Sequence, residues 1–405
     1  MAALPLPSHR LVGDETLVRL ARLWCLVVAP LTLLYLCRQF TLGWTDGAGH
    51  PFGEDFLNFW AGARLAQQGQ WPTIYNLAAF HGFEEALVGA PLDLYHYSYP
   101  PVAWILTAPF GALPYLAAWA LWQVCGWLAF ALAVRRLAPG HWVLIALAAP
   151  AVFINSLGGQ NGCWTAAAVG WGMILLHRRP ALAGAILALF TIKPQLGWLI
   201  PVALLAGRHF RALGVFAGTA LALILASLAL FGAEAWAAYA AQGAMLKAVI
   251  LEQGSGTWHR MLSLFVLVRH AGAPIGVAYG VQLVASVVVT LVVAKAWHKG
   301  RGDERSAAML VLGMLAGSLY VSDYDCVMLV LAACWMWPGA TAWGRGWLAL
   351  AIVAPLLTAS LATVSGLALC AILLWPPLLW AVWSTSDKEE RASSGRQRFR
   401  HLGHL

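Results

Sequence analysis

Apolar residues come in long runs near 20–40, 114–134, 141–157, 162–176, 181–192, 195–207, 209–231, 275–297, 306–321, 326–343, 346–363 and 366–383, separated by short polar or proline-rich breaks. About 20 apolar residues rising 1.5 Å each cross a hydrocarbon core of roughly 30 Å, so such runs predict membrane-crossing helices. The pattern therefore predicts an all-α integral membrane protein with about twelve transmembrane helices. Two stretches resist that reading. Residues 181–207 are either one span kinked at Pro194 or a hairpin of two half-helices turning at TIKPQ. The hairpin is preferred because it keeps Arg178 and Arg179 on the same side as Arg208 and Arg211, although helices of about 12 residues reach only about 18 Å and need neighbours to shield them. Pro100–Leu113 is also too short to cross and is expected to lie along or dip into the interface. Residues 43–113 then form a long first outer loop of two or three juxtamembrane helices, and 232–274 a second outer loop. The polytopic domain runs over 1–384, followed by a basic, disordered tail at 385–405. The first apolar run follows Arg19 and Arg22 and lacks a small-residue cleavage site, which predicts a retained span.

Composition sharpens this picture. The chain of 405 residues is 61% hydrophobic and 10% charged, against about 45–50% and about 25% for soluble domains. A net charge of +8 would suit a nucleic-acid partner, but its distribution argues for a membrane instead. Only Arg38, Arg64, Lys193, Lys247, Arg260 and Arg269 fall on one side of the expected topology; the other nineteen of 25 basic residues fall on the opposite side. The positive-inside rule then places both termini in the cytoplasm of a multi-pass cell inner (plasma) membrane protein. All seven cysteines lie in or beside apolar runs without metal-ligand spacing, and read as small core residues.

Ionisable groups near a bilayer are costly, so their placement is informative. The outer side collects the acids. In GEDFLNFW (53–60), a helix over 54–66 would put Phe56, Phe59, Trp60 and Ala63 on one side and Asp55, Asn58 and Gly62 on the other. Asp55 is either the cap of that helix or a functional carboxylate facing a cavity; Glu54 points elsewhere and reads as a solvated neighbour. HYSYPP (96–101) alternates aromatics with His96 and Ser98, which suits either a shaped wall including Tyr99 or an interfacial aromatic belt. GGQNG (158–162) and IKPQ (192–195) each precede a helix and offer Gln160, Asn161 and Gln195 to hydroxyls, with Lys193 at a helix N-terminus as a candidate anion site or a snorkelling side chain. His259 and Arg260 in TWHRMLS, and Tyr324 and Asp325 in SDYD, complete the set as cavity-lining or interfacial groups.

No Walker motif, GxGxxG fingerprint, zincin HExxH or Ser-His-Asp spacing is present, so no cofactor and no metal are expected. Nucleotide-activated donors stay in the cytoplasm. One candidate base, a cationic phosphate site and aromatic walls on the outer face suit transfer of a sugar from a lipid phosphate to a hydroxyl. A polytopic transporter or lipid-linked-sugar flippase would also use broken helices, but usually shows matching interrupted halves, and the first outer loop has no counterpart near residue 232.

DFLNFWAGARLAQQGQWPTIYN, YSYPP with ALP downstream, GGQNG, RRPALAGAILALFTIKPQ and SLYVSDYD, in that order, resemble the polyprenyl-phosphate-sugar-dependent glycosyltransferases of family 87, which include mycobacterial mannosyltransferases. The likeness runs from about Asp55 to Leu329. It implies a C-type glycosyltransferase fold, Asp55 as general base of an inverting transfer, mannose as the sugar, a polyprenyl-phosphate-linked donor and a lipid or glycan acceptor. Lys193, Gln195 and Arg260 would bind the donor phosphate. Asn58, His96, Tyr99, Gln160, Asn161, His259, Tyr324 and Asp325 would line the sugar and acceptor sites. Some relatives carry a histidine-rich turn where this chain has SDYD, which puts any histidine role there in doubt and makes Asp325 the substitute.

Overall fold

A computed structural model describes residues 15–383 other than 255. The basic tail at 385–405 lies outside the described residues, as does Arg10. Helix α1 (Glu15–Thr41) packs on the rest along one narrow strip and leaves Leu23, Leu26, Leu33 and Leu34 more than half exposed. An apolar surface of that extent belongs in lipid. The connection after α1 folds into four short helices: α2 (Phe56–Gln67), α3 (Trp71–Ile74), α4 (Leu77–Val88) and α5 (Val102–Gly111). Asn76 caps α4 by accepting the Ala79 amide at 3.0 Å, and Gly89 ends it in the left-handed conformation.

These four helices surround one aromatic core that includes Phe56, Phe80, Tyr97 and Trp104, all fully buried. Helix α2 is therefore buried nearly all round, which differs from the two-sided helix expected. The reason is local: Tyr97 covers Gly62, so the side expected to face a cavity is roofed except at its N-terminal end, while Gly111 of α5 lies against Ala63 of the apolar side. Helix α5, expected along the interface, packs on α2, with its Trp104 stacked on Trp71 at 5.2 Å.

The chain continues through α6 (Tyr115–Leu137), α7 (Trp142–Ala148), α8 (Pro150–Leu157), α9 (Gly162–Leu175), α10 (Pro180–Leu187), α11 (Pro194–Gly197), α12 (Leu199–Ala206), α13 (Phe210–Leu246), α14 (Leu264–His270), α15 (Ile275–Gly300), α16 (Glu304–Gly317), α17 (Leu329–Met336) and α18 (Ala342–Ser365), with 3-10 turns between. Among the described residues, α1, α6, α13, α15 and α18 are long and apolar enough to cross a membrane, five against the twelve expected. The other expected spans are helical but short or interrupted. Pro150 breaks the 141–157 run into α7 and α8, since a proline forbids the helical conformation at Ala149, which is extended. Within α13 the backbone breaks at Gly232 (φ +78°), where the expected 209–231 span ends, and the helix then resumes inside the expected second loop.

The 181–207 region folds as the hairpin reading requires. The His177 and His209 rings lie 5.2 Å apart, so the two ends of the hairpin meet, while Lys193 at its turn lies against Asp325. His177 and His209 donate to the carbonyls of Gly302 (3.3 Å) and Arg301 (2.9 Å), which joins three turns carrying Arg178, Arg179, Arg208, Arg211 and Arg301. Basic connections thus gather at one end of the bundle and the motif residues at the other.

Candidate active site

Three turns distant in sequence interlock at the motif end. The 158–162 turn is wedged between the 53–56 turn and the 322–325 turn, and two glycines make the approach possible. A Cβ on Gly159 (φ +60°) would overlap the Gly53 carbonyl and Phe56; one on Gly162 would strike the Tyr324 carbonyl. A fourth segment is fastened to this wedge by a bridge between Met261 and Ser322, with the Leu262 amide donating to Val321 at 3.0 Å. The 322–325 turn is braced by a capping box between Ser322 and Asp325.

Asp55 occupies the position before α2, yet its side chain makes no capping bond. Its Oδ1 accepts from the Asn58 amide nitrogen at 3.1 Å and its Oδ2 from Gln160. Between cap and cavity-facing carboxylate, the geometry selects the second. Burial pushes the Asp55 carboxyl above the usual carboxylate range, opposed by the Arg260 guanidinium and the Gln160 bond. His96 is pushed down to about 4 by burial, so its imidazole is neutral at pH 7. Arg260 donates through Nε and Nη2 to Asp323 at 3.1 and 3.3 Å, and its Nη1 stands 3.9 Å from Glu54.

A small cleft opens here, lined by Asp55, Asn58, Phe59, His96, Ser98, Tyr99, Gln160, Thr257, Arg260, Tyr320, Ser322 and Tyr324. Seven of the residues singled out from sequence are thus brought together: Asp55, Asn58, His96, Tyr99, Gln160, Arg260 and Tyr324. Five are not among its lining. Lys193 is 2% exposed and donates to Asp325 at 2.6 Å, with its ammonium 4.4 Å from the Tyr324 ring centre. It neither snorkels nor faces the cleft, because Asp325 takes up its charge. Asn161 is fully buried and donates to the Tyr99 hydroxyl at 3.0 Å, Gln195 is half-buried beside Ser318, and His259 is exposed. Glu54 is only 21% exposed and faces Arg260, unlike the solvated neighbour expected.

Sequence reasoning assigned no site role to Phe59, Thr257, Tyr320 and Ser322, named Ser98 only within the HYSYPP pattern, and missed the partner role of Asp323. The alternation in HYSYPP held the signal for Ser98: in the extended chain Tyr97 enters the core while His96 and Ser98 face the cleft. For Asp323 the signal was a second acid one position from a hydrophobic turn, unresolvable without the path of 257–263. Among the described residues no group of three or more His, Cys, Asp or Glu side chains is placed to hold a metal ion.

The buried pair makes a test. Lys193→Met leaves Asp325 unpaired in the interior and is expected to destabilise by about 3–5 kcal/mol, read as a fall in thermal midpoint in detergent. Lys193→Met/Asp325→Asn keeps the cap on the Ser322 amide (3.0 Å) and should recover most of that loss. A stable double variant with weakened donor binding would return Lys193 to the phosphate site.

The family model of glycosyltransferase family 87 matches residues 97–322, more than half of the chain. The match takes in HYSYPP from Tyr97, the 158–162 turn, the hairpin and Arg260; Asp55 precedes it, and Asp323 and Asp325 follow it. No curated protein and no solved structure matches the chain.

Proposed function

Because the chain belongs to glycosyltransferase family 87 and carries several membrane-spanning helices, we propose that this membrane glycosyltransferase moves a sugar from a polyprenyl-phosphate donor to a hydroxyl acceptor on the extracytoplasmic face. The observation that carries this reading is one carboxylate and one guanidinium facing a common cleft, the carboxylate held by the side-chain amides of Asn58 and Gln160 and not by the backbone amides of α2.

Asp55 takes the acceptor's O–H proton as that oxygen attacks the anomeric carbon. The new C–O bond forms opposite the phosphate, the old one breaks, and polyprenyl phosphate leaves with the electron pair. Configuration inverts. A phosphate has low proton affinity, so the leaving group needs no general acid, unlike the two-carboxylate arrangement of glycosidases. Arg260, held rigid by Asp323, stabilises the charge that develops on the phosphate. In this reading Arg260 alone keeps the phosphate role expected from the sequence for Lys193, Gln195 and Arg260 together, since Lys193 and Gln195 are not among the cleft lining. Asn58, His96, Tyr99, Gln160 and Tyr324 form the sugar and acceptor surface, with mannose the sugar the family likeness implies. The gathered arginines at the other end favour a cytoplasmic location for that end.

The test is a donor panel with purified protein in lipid nanodiscs. Labelled sugar should pass from polyprenyl-phosphate donors and not from nucleotide sugars, and the product should have the opposite anomeric configuration to the donor. Transfer straight from a nucleotide sugar, or a retained anomer, rules the mechanism out.

A further inference from the structure

The Arg260 guanidinium presents two edges. One, Nε and Nη2, is donated to Asp323, whose Oδ1 is itself fixed by the Tyr324 amide at 2.8 Å. The other edge is less well served. Its Nη1 faces Glu54 Oε2 at 3.9 Å, close enough for charge attraction and too long for a hydrogen bond. Glu54 does not drift there by side-chain freedom. Its backbone holds a left-handed φ of +42°, directly after Gly53 at +75°, a conformation that a residue with a Cβ seldom adopts unless its surroundings impose it. The surroundings are the 158–162 turn: Gly159 lies on the Gly53 carbonyl, and a Cβ on Gly158 would come within 3.5 Å of the Glu54 carboxylate.

We propose that Glu54 competes with the donor's phosphate for the free edge of Arg260, setting donor affinity and helping spent polyprenyl phosphate to leave. The inference rests on the reading of the cleft as a polyprenyl-phosphate-sugar site. A phosphate oxygen and Glu54 Oε2 seek the same N–H donors and repel each other, so they cannot hold that edge together. The surroundings favour such a counterweight. Asp323 and Asp55 also face Arg260, so the single guanidinium already answers three carboxylates, and an arriving phosphate makes a fourth anion. A site without Glu54 would grip both donor and product harder. Uniform gripping lowers KM but not the barrier, and tight product slows turnover.

The experiment compares wild type, Glu54→Gln and Glu54→Gly in nanodiscs for transfer kinetics and for inhibition by added polyprenyl monophosphate. Glutamine keeps the shape without the charge. Glycine also relieves the left-handed backbone, so a folding defect in one variant would not be shared by the other. In both, KM for the donor and Ki for polyprenyl monophosphate are expected to fall about tenfold, the order of one charge at this range in a partly buried site, while kcat falls as release becomes slower. A structural role would lower kcat and leave Ki in place. KM and Ki that stay put or rise in both variants overturn the proposal. Active wild type with unmoved constants removes Glu54's role alone; wild type that neither uses a polyprenyl-phosphate donor nor responds to polyprenyl monophosphate removes the function proposed above and this inference with it.

Discussion

Asp55→Asn is expected to lower sugar transfer by about 10²–10⁴-fold, the range a positioned general base supplies, with the thermal midpoint nearly unchanged. The fold should tolerate the exchange because both amides that hold Asp55 have a spare acceptor. Asn58 Oδ1 and Gln160 Oε1 are buried without partners, so one amide can turn over and accept from the new NH₂ group. Donor KM should move little, since the carboxylate acts on the acceptor. The pH profile gives a second reading. Burial raises the Asp55 carboxyl, and a base works only when ionised. Activity should therefore fall as pH drops through a value above the ordinary carboxylate range, and Asp55→Asn should abolish that limb along with the rate. Turnover within tenfold of wild type in a well-folded Asp55→Asn protein would remove Asp55 as the base.

Arg260→Gln should cost about 10²–10³-fold in kcat/KM, the scale measured when one preorganised donor to a developing anion is removed. Two effects add. The phosphate loses its cation, and Asp323 is left buried without its bidentate partner. The Asp55 limb should also move. The Arg260 charge favours ionised Asp55, so its loss raises that carboxyl further and shifts the acid limb to higher pH. Arg260→Gln/Asp323→Asn separates the contributions: it repairs the orphaned acid while leaving the phosphate bare, so stability should return and kcat/KM should not. A limb that stayed in place in Arg260→Gln would show that the two groups do not share one cleft.

The helical class was legible in the chain, because hydropathy is local and additive. The hairpin at 181–207 followed from four arginines alone, and the rings of His177 and His209 meet as that reading requires. Asp55 and the GGQNG turn stood out in the chain as an acid among aromatics and adjacent glycines before a helix, and the structure brings Asp55 and Gln160 to one cleft. Span number was not legible. Helices such as α9 and α16 are only 14 residues long and packed by neighbours, and composition cannot tell a shielded short helix from a full crossing. Lys193 misled for a related reason: a cation beside a helix start reads as an anion site until Asp325, 132 positions later, is found 2.6 Å away. Pairings at such separations leave no periodic trace.

The interlock of turns also sets a timetable for synthesis. Asp55 leaves the ribosome early, Gln160 and Arg260 later, and the acid that orients Arg260 only at position 323. A nascent chain halted before that point carries Asp55 without a steadied guanidinium opposite it. The cleft is therefore completed late and all at once, after nearly every helix has been made, and a half-made polypeptide holds its motif residues without the turn that locks them together.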